Sequence, residues 1–274
     1  MTIAILVLMP CQGRDEYRYR NITMNDGLAA NTVRNIVQDP YGFIWLGTDN
    51  GLCRYDGTQV QTYRIAELGM NQYISSLLTA EDAIYVGTEK GVFQLKQASQ
   101  QFTRLPMDIS SAVTSLSLDK SGDLWVSTME NGVWHYGIKT GQTRQYKLTS
   151  VNNAAAQILI DNTNQIWTIT NWGGPAIERL NRLHDQFEPV GISYDGNSGG
   201  LRMLQTRDGR IWIGSWEDGL LLCPLYRHKR RNDGRSELLQ PTESVLRKRI
   251  SNASSSLSSR PRETSLAQAS DSTS

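Results

Sequence analysis

Five aromatic residues recur along this 274-residue chain at nearly constant spacing: Trp45, Tyr85, Trp125, Trp167 and Trp212 stand 40, 40, 42 and 45 residues apart. A period of this length means that one supersecondary unit is repeated and that each copy completes its core against its neighbours. The columns beside the aromatic keep register. Ile44, Ile84, Leu124, Ile166 and Ile211 directly precede it, and Gly42, Asp82, Gly122, Asn164 and Gly209 stand three residues before it. These last are residue types that tolerate the positive φ of a tight turn. A hydroxyl follows three residues after the aromatic in every copy, as Thr48, Thr88, Thr128, Thr170 and Ser215. Gly47, Gly87 and Gly214 hold a glycine column that Ser127 and Ile169 break, and Gly51, Gly91, Gly132, Gly174 and Gly219 mark a second turn.

Between these turns the residues read as strands. In the first copy, Asp39-Pro40-Tyr41-Gly42 leads into Phe43-Ile44-Trp45-Leu46, and Asp49-Asn50-Gly51 turns the chain back into Leu52 to Tyr55. The run from Phe43 to Leu46 does not alternate apolar with polar, so this strand is expected to be covered on both faces. An upstream strand, such as Val33 to Val37, and a downstream one, such as Val60 to Tyr63, bring each copy to four strands. Four antiparallel strands every 40 to 45 residues are the signature of a β-propeller blade. The predicted fold is therefore all-β, with propeller repeats over residues 14–226 and blades near 31–64, 73–105, 112–147, 153–190 and 199–226.

The flanks read differently. Residues 1–13 form an apolar, signal-like segment too short to span a bilayer, and the expectation is export with cleavage; a buried first strand is the alternative. Residues 227–274 are rich in Ser and Arg with little apolar periodicity, which predicts a disordered tail. With 28 basic and 27 acidic residues, the near-neutral balance points away from nucleic acid or an anionic membrane as partner. Cys53 and Cys223 fall in apolar strands and are expected to be buried thiols. His135, His184 and His228 lack ligand spacing along the chain, so no metal site is expected, and no cofactor is implied.

The residues Gly27-Leu28 to Asn31-Thr32-Val33, then Asp39 to Thr48, Gly51-Leu52 and Arg54-Tyr55-Asp56-Gly57 resemble the two-component regulator propeller repeat. The resemblance extends over roughly Tyr17 to Cys223 and weakens in the fourth copy, where Ile169 replaces the glycine. It implies a periplasmic sensor region of a hybrid histidine kinase from gut Bacteroidetes, recognising a glycan-derived ligand, with homodimerisation through the parent receptor. Such sensors usually have seven-bladed rings. With five repeats here, the resemblance implies a truncated sensor, whose membrane attachment and kinase output would lie downstream.

The sequence offers no nucleophile elbow, no phosphate-cradling loop and no paired carboxylates among the first strands, so no catalytic residue is expected. Aspartates such as Asp39, Asp119 and Asp161 recur at turns, where they bond the local backbone. Three bulky side chains break the repeat: Met129, Trp172 and Trp216 each fall in the turn between the second and third strands of consecutive blades. They are the candidate ligand-binding residues, suited to stacking on a sugar ring; the alternative is padding between blades. A secreted propeller enzyme acting on polysaccharide, or a structural remnant, are the competing readings of the chain.

Overall fold

Each repeat folds into one antiparallel sheet whose strands follow one another in sequence, as the turn signals require. The structure is a computed structural model and describes residues 20–80, 82–150, 152–170, 177–190, 200–215 and 219–223, with further strand backbone at 228–230, 236–238 and 247–248. The chain divides between Leu105 and Pro106 into two compact units.

The first unit holds two sheets. Strands β1 (Val33–Gln38), β2 (Ile44–Thr48), β3 (Gly51–Tyr55) and β4 (Val60–Tyr63) pair in that order, and so do β5 (Ser76–Thr79), β6 (Ala83–Thr88), β7 (Gly91–Lys96) and β8 (Gln101–Arg104). Between the sheets lies a core containing Trp45, Leu52 and Tyr63 from the first and Leu77, Val86 and Phe93 from the second. The glycine column serves this packing: a Cβ on Gly47 would stand 2.8 Å from Ile74 Cγ2 and 3.3 Å from the Leu77 side chain.

Among the described residues, the second unit holds three more four-stranded sheets and one two-stranded sheet. The first comprises β9 (Val113–Leu118), β10 (Leu124–Thr128), β11 (Val133–Tyr136) and β12 (Thr143–Tyr146). The next comprises β13 (Gln157–Ile160), β14 (Ile166–Ile169), β15 (Ile177–Asn181) and β16 (Gln186–Pro189). The last runs through β17 (Gly200–Gln205), β18 (Ile211–Ser215) and β19 (Leu220–Cys223). Two short strands, β20 (His228–Arg230) and β21 (Ser236–Leu238), pair with each other, and β22 (Arg247–Lys248) adds to β19 as the fourth strand of the last sheet. The sequence has no apolar strand pattern there, so these three strands come from within the segment whose composition predicts disorder.

The second strands of the middle blades are covered on both faces: every residue of β6, β10 and β14 is buried, as is all of β2 after Ile44, whereas in β18 only Ile211 and Ile213 are buried. In the fourth sheet Ile169, which breaks the glycine column, is buried in a core with Ala156, Met203, Ile211 and Ile213. There the side chain fills space that a glycine would leave empty. The turn columns also have physical causes. Gly42, Gly122, Asn164 and Gly209 take positive φ of 91°, 82°, 66° and 86°. The hydroxyls of Thr48, Thr88, Thr128 and Ser215 donate to the carbonyls of Gly51, Gly91, Gly132 and Gly219 at 2.8 to 3.1 Å, closing the turn between the second and third strands.

Candidate functional site

Four of the repeat aromatics, Trp45, Tyr85, Trp125 and Trp167, are buried, Trp212 is half-buried, and an aspartate fixes three of them. Asp39 Oδ1 accepts the Tyr41 and Phe43 N–H groups at 3.0 Å each, while Oδ2 accepts the Trp45 indole N–H at 2.8 Å. Asp119 repeats this with Ser121, Asp123 and Trp125, and Asp161 with Thr163, Gln165 and Trp167. The turn aspartates are structural, as expected, and they also satisfy the indole of a buried tryptophan.

Polar residues of the first strands bridge neighbouring sheets within each unit. The Asn35 amide donates to the Ser75 carbonyl at 2.9 Å, and Gln157 bonds both the N–H and the carbonyl of Met203. Arg34 is paired with Asp49 at 2.8 Å.

Of the candidate ligand residues, Met129 lies in the β10–β11 turn and is 39% exposed. Trp172 and Trp216 lie outside the described residues. Met129 lines an open cavity of about 560 Å³ with Glu130, Asn152 and Ala154. Asn152 and Ala154 come from the β12–β13 connection, which sequence reasoning did not single out, because nothing in its composition marks that it crosses the β10–β11 turn. The crossing is held by backbone bonds. Gly132 N–H donates to the Asn153 carbonyl at 2.8 Å, and Ala155 N–H to the Thr128 carbonyl at 2.9 Å. Asn153, at φ 51°, accepts the Leu148 N–H on its side-chain oxygen at 2.8 Å.

The same connection is anchored from below by Glu178 on β15. Its fully buried carboxyl accepts the Thr149 N–H on both oxygens, at 3.0 and 3.1 Å. Burial pushes this carboxyl above the usual glutamate range, against the lowering effect of those bonds. A thioether, a carboxylate and an amide thus border an open cavity whose wall is a braced loop, an arrangement able to take a small ligand with both apolar and hydroxyl surface.

A second concavity, about 290 Å³, lies between Arg144 to Thr149 and Asp185 to Phe187. Arg144 pairs with Asp185 and covers the Tyr146 ring, whose hydroxyl donates to Asp185 at 3.0 Å. Burial, then the bond to Asp185, pushes the Tyr146 phenol up to about 12. Arg144 and Asp185 in this concavity are thus already partnered with each other. Cys53 and Cys223 are buried, and burial raises the Cys223 thiol to about 12, so it is held as thiol.

Four-stranded antiparallel blades repeated in this way define a β-propeller. Solved propellers superpose on the chain. Two extracellular domains from B. thetaiotaomicron, each assigned to a hybrid two component system, match with TM-scores of 0.61 and 0.62 at 24% and 20% identity, over 78% and 82% of this chain. The chain spans only 28% and 34% of the length of those two proteins. A catalytically inactive virginiamycin B lyase from Staphylococcus aureus, solved with quinupristin, matches with a TM-score of 0.58 at 15% identity, over 79% of this chain and 72% of that one. At these identities the likenesses speak for the fold. No curated protein matches the chain. The family profile described as Two component regulator propeller matches residues 27–50, so the first copy is similar to the repeat of that family, in agreement with the resemblance read from its residues. Among the described residues, no helix is long and apolar enough to cross a membrane.

Proposed function

We propose that this chain is the ligand-sensing propeller region of a two-component signalling receptor of the hybrid histidine kinase type. The region is exported to the periplasm and acts without catalysis of its own. The observation that carries the reading is the two component regulator propeller repeat at residues 27–50, set in a propeller fold also found in extracellular domains assigned to hybrid two component systems. The ligand is a glycan-derived oligosaccharide, taken at the face that carries Met129, with Trp172 and Trp216 offering flat apolar surface to a sugar ring. The open cavity at Met129, bordered by Glu130 and Asn152, supports this placement. Dimerisation occurs through the parent receptor, where membrane attachment and output also reside.

Titration calorimetry of the chain against a panel of oligosaccharides tests the reading. One class is expected to bind, with Trp172→Ala and Trp216→Ala weakening it at least ten-fold and Met129→Ala less. Both tryptophan variants binding normally while melting early would remove the ligand role from these side chains.

A further inference from the structure

The third sheet gathers three metal-ligating side chains at the end of β10 opposite to Met129. Asp119 and Asp123 belong to the β9–β10 turn, and His135 lies on β11 directly across from Trp125. Each brings one ligand atom to within 4.8 Å of the other two, and all three residues are half-buried. His135 Nε2 stands 3.4 Å from Asp123 Oδ2.

The donors are oriented by groups outside the cluster. Asp123 Oδ1 accepts the Ile138 N–H at 3.2 Å, which leaves Oδ2 on the histidine side. The His135 ring packs on Trp125 with centroids 4.6 Å apart, and the same indole N–H holds Asp119 at 3.1 Å. Outer contacts of this kind fix metal ligands before the ion arrives.

Charge separates this place from its counterparts. In the first sheet the matching positions are Phe43 and Arg54, and the guanidinium lies 4.5 Å from the Phe43 ring centre and 5.9 Å from that of Trp45. In the fourth sheet the turn position is Gln165, whose amide donates to the Leu180 carbonyl at 2.7 Å. In the third sheet two carboxylates share the space with one imidazole. Lys120, adjacent to Asp119, sends its ammonium to the Asn162 carbonyl at 2.6 Å instead. Among the described residues, no lysine or arginine lies within ion-pair distance of Asp119 or Asp123. Close carboxylates without a basic partner attract a cation.

We propose that Asp119, Asp123 and His135 form a binding site for a divalent transition-metal ion of the zinc or manganese type. The imidazole selects against magnesium and calcium, and the carboxylates select against soft monovalent copper. Metal–ligand bonds of about 2.0–2.2 Å place neighbouring donors roughly 3–3.5 Å apart, so side-chain rotations closing the cluster by about 1 Å complete the site. Water or a ligand oxygen fills the remaining positions. The site is independent of the oligosaccharide reading. Its ligands are separated by 4 and 12 residues along the chain, and only the pairing of β10 with β11 unites them, which is why histidine spacing gave no sign of it.

The test uses the full chain, stripped of metal with a chelator. Titration with zinc is expected to show a binding event that His184→Ala leaves intact and that His135→Gln or Asp123→Asn weakens at least ten-fold. Manganese added to the unsubstituted chain is expected to broaden NMR resonances centred on residues 119–138, which locates the site even if a variant folds poorly. Zinc binding unchanged in both variants, or broadening centred elsewhere, would overturn the proposal.

Discussion

The first and third blades share a frame and differ in what the frame carries. Asp39 and Trp45 in one, Asp119 and Trp125 in the other, make the same bonds across the same turn. Beside them the first blade places Phe43 under the guanidinium of Arg54, and the third places Asp123 beside His135. The first pair covers the tryptophan with a cation and an apolar ring, and the second leaves negative charge facing a half-open space. The repeat columns thus maintain the sheet, while positions between the columns are free to acquire chemistry. The cavity at Met129 makes the same point, because it too is bordered by side chains that lie off the columns.

The largest effect should come from breaking the shared frame. Asp39→Ala leaves the buried Trp45 indole and two backbone N–H groups without their acceptor, and should cost about 3 kcal/mol or more in chemical denaturation. Asp119→Ala should cost a similar amount; if only one of the two is sensitive, the blades do not share a frame. Next, Gly47→Ala forces a Cβ to 2.8 Å from the buried Ile74 and should cost ~1–3 kcal/mol through overpacking. At the matching position of the third blade, Ser127→Ala should cost about 1 kcal/mol, for its lost bond to Thr114 at 2.7 Å.

Smaller still, Arg54→Leu and His135→Gln should each move the melting temperature by only a few degrees, since a partly exposed cation–π or imidazole–carboxylate contact contributes ~0.5–1 kcal/mol. Only the second substitution should weaken zinc binding. Equal responses would erase the distinction between the blades. The last prediction concerns the loop that crosses the third blade. The folded protein favours the neutral form of Glu178, so this residue adds no penalty below the ordinary glutamate range. As pH rises from that range through the raised folded value, ionising the buried group destabilises the fold. Glu178→Gln lacks this slope, and its melting temperature relative to the unsubstituted chain should rise as the pH is raised above the ordinary glutamate range. A flat difference would show that the carboxyl is not desolvated.

Much of the fold was legible because the turns are encoded locally. Asn164 replaces glycine at a positive φ, and Ser215 replaces threonine on a turn carbonyl, since each retains the one property the position needs. Ile169 was visible as a departure from the pattern, but not as a core residue, because the space it fills belongs to the next sheet. The two-residue strand Arg247–Lys248 was hidden for a related reason. Its pairing with Leu220 and Leu221 uses backbone groups, which leave no trace in side-chain composition.

Sequence alone determined the repeating unit, its four strands, its two turns and the likeness of its first copy to a known repeat. Each of these follows from residues within a few positions of one another, whose φ preferences and hydrogen-bonding side chains act locally. Tertiary structure decided which side chains meet. The Asn152–Ala154 segment reaches Met129 because the β12–β13 connection folds over a turn about 20 residues earlier. His135 reaches Asp119 and Asp123 because antiparallel register sets it across from Trp125. Register is fixed by burial of whole strands, so the groups it brings together need not be near in the chain.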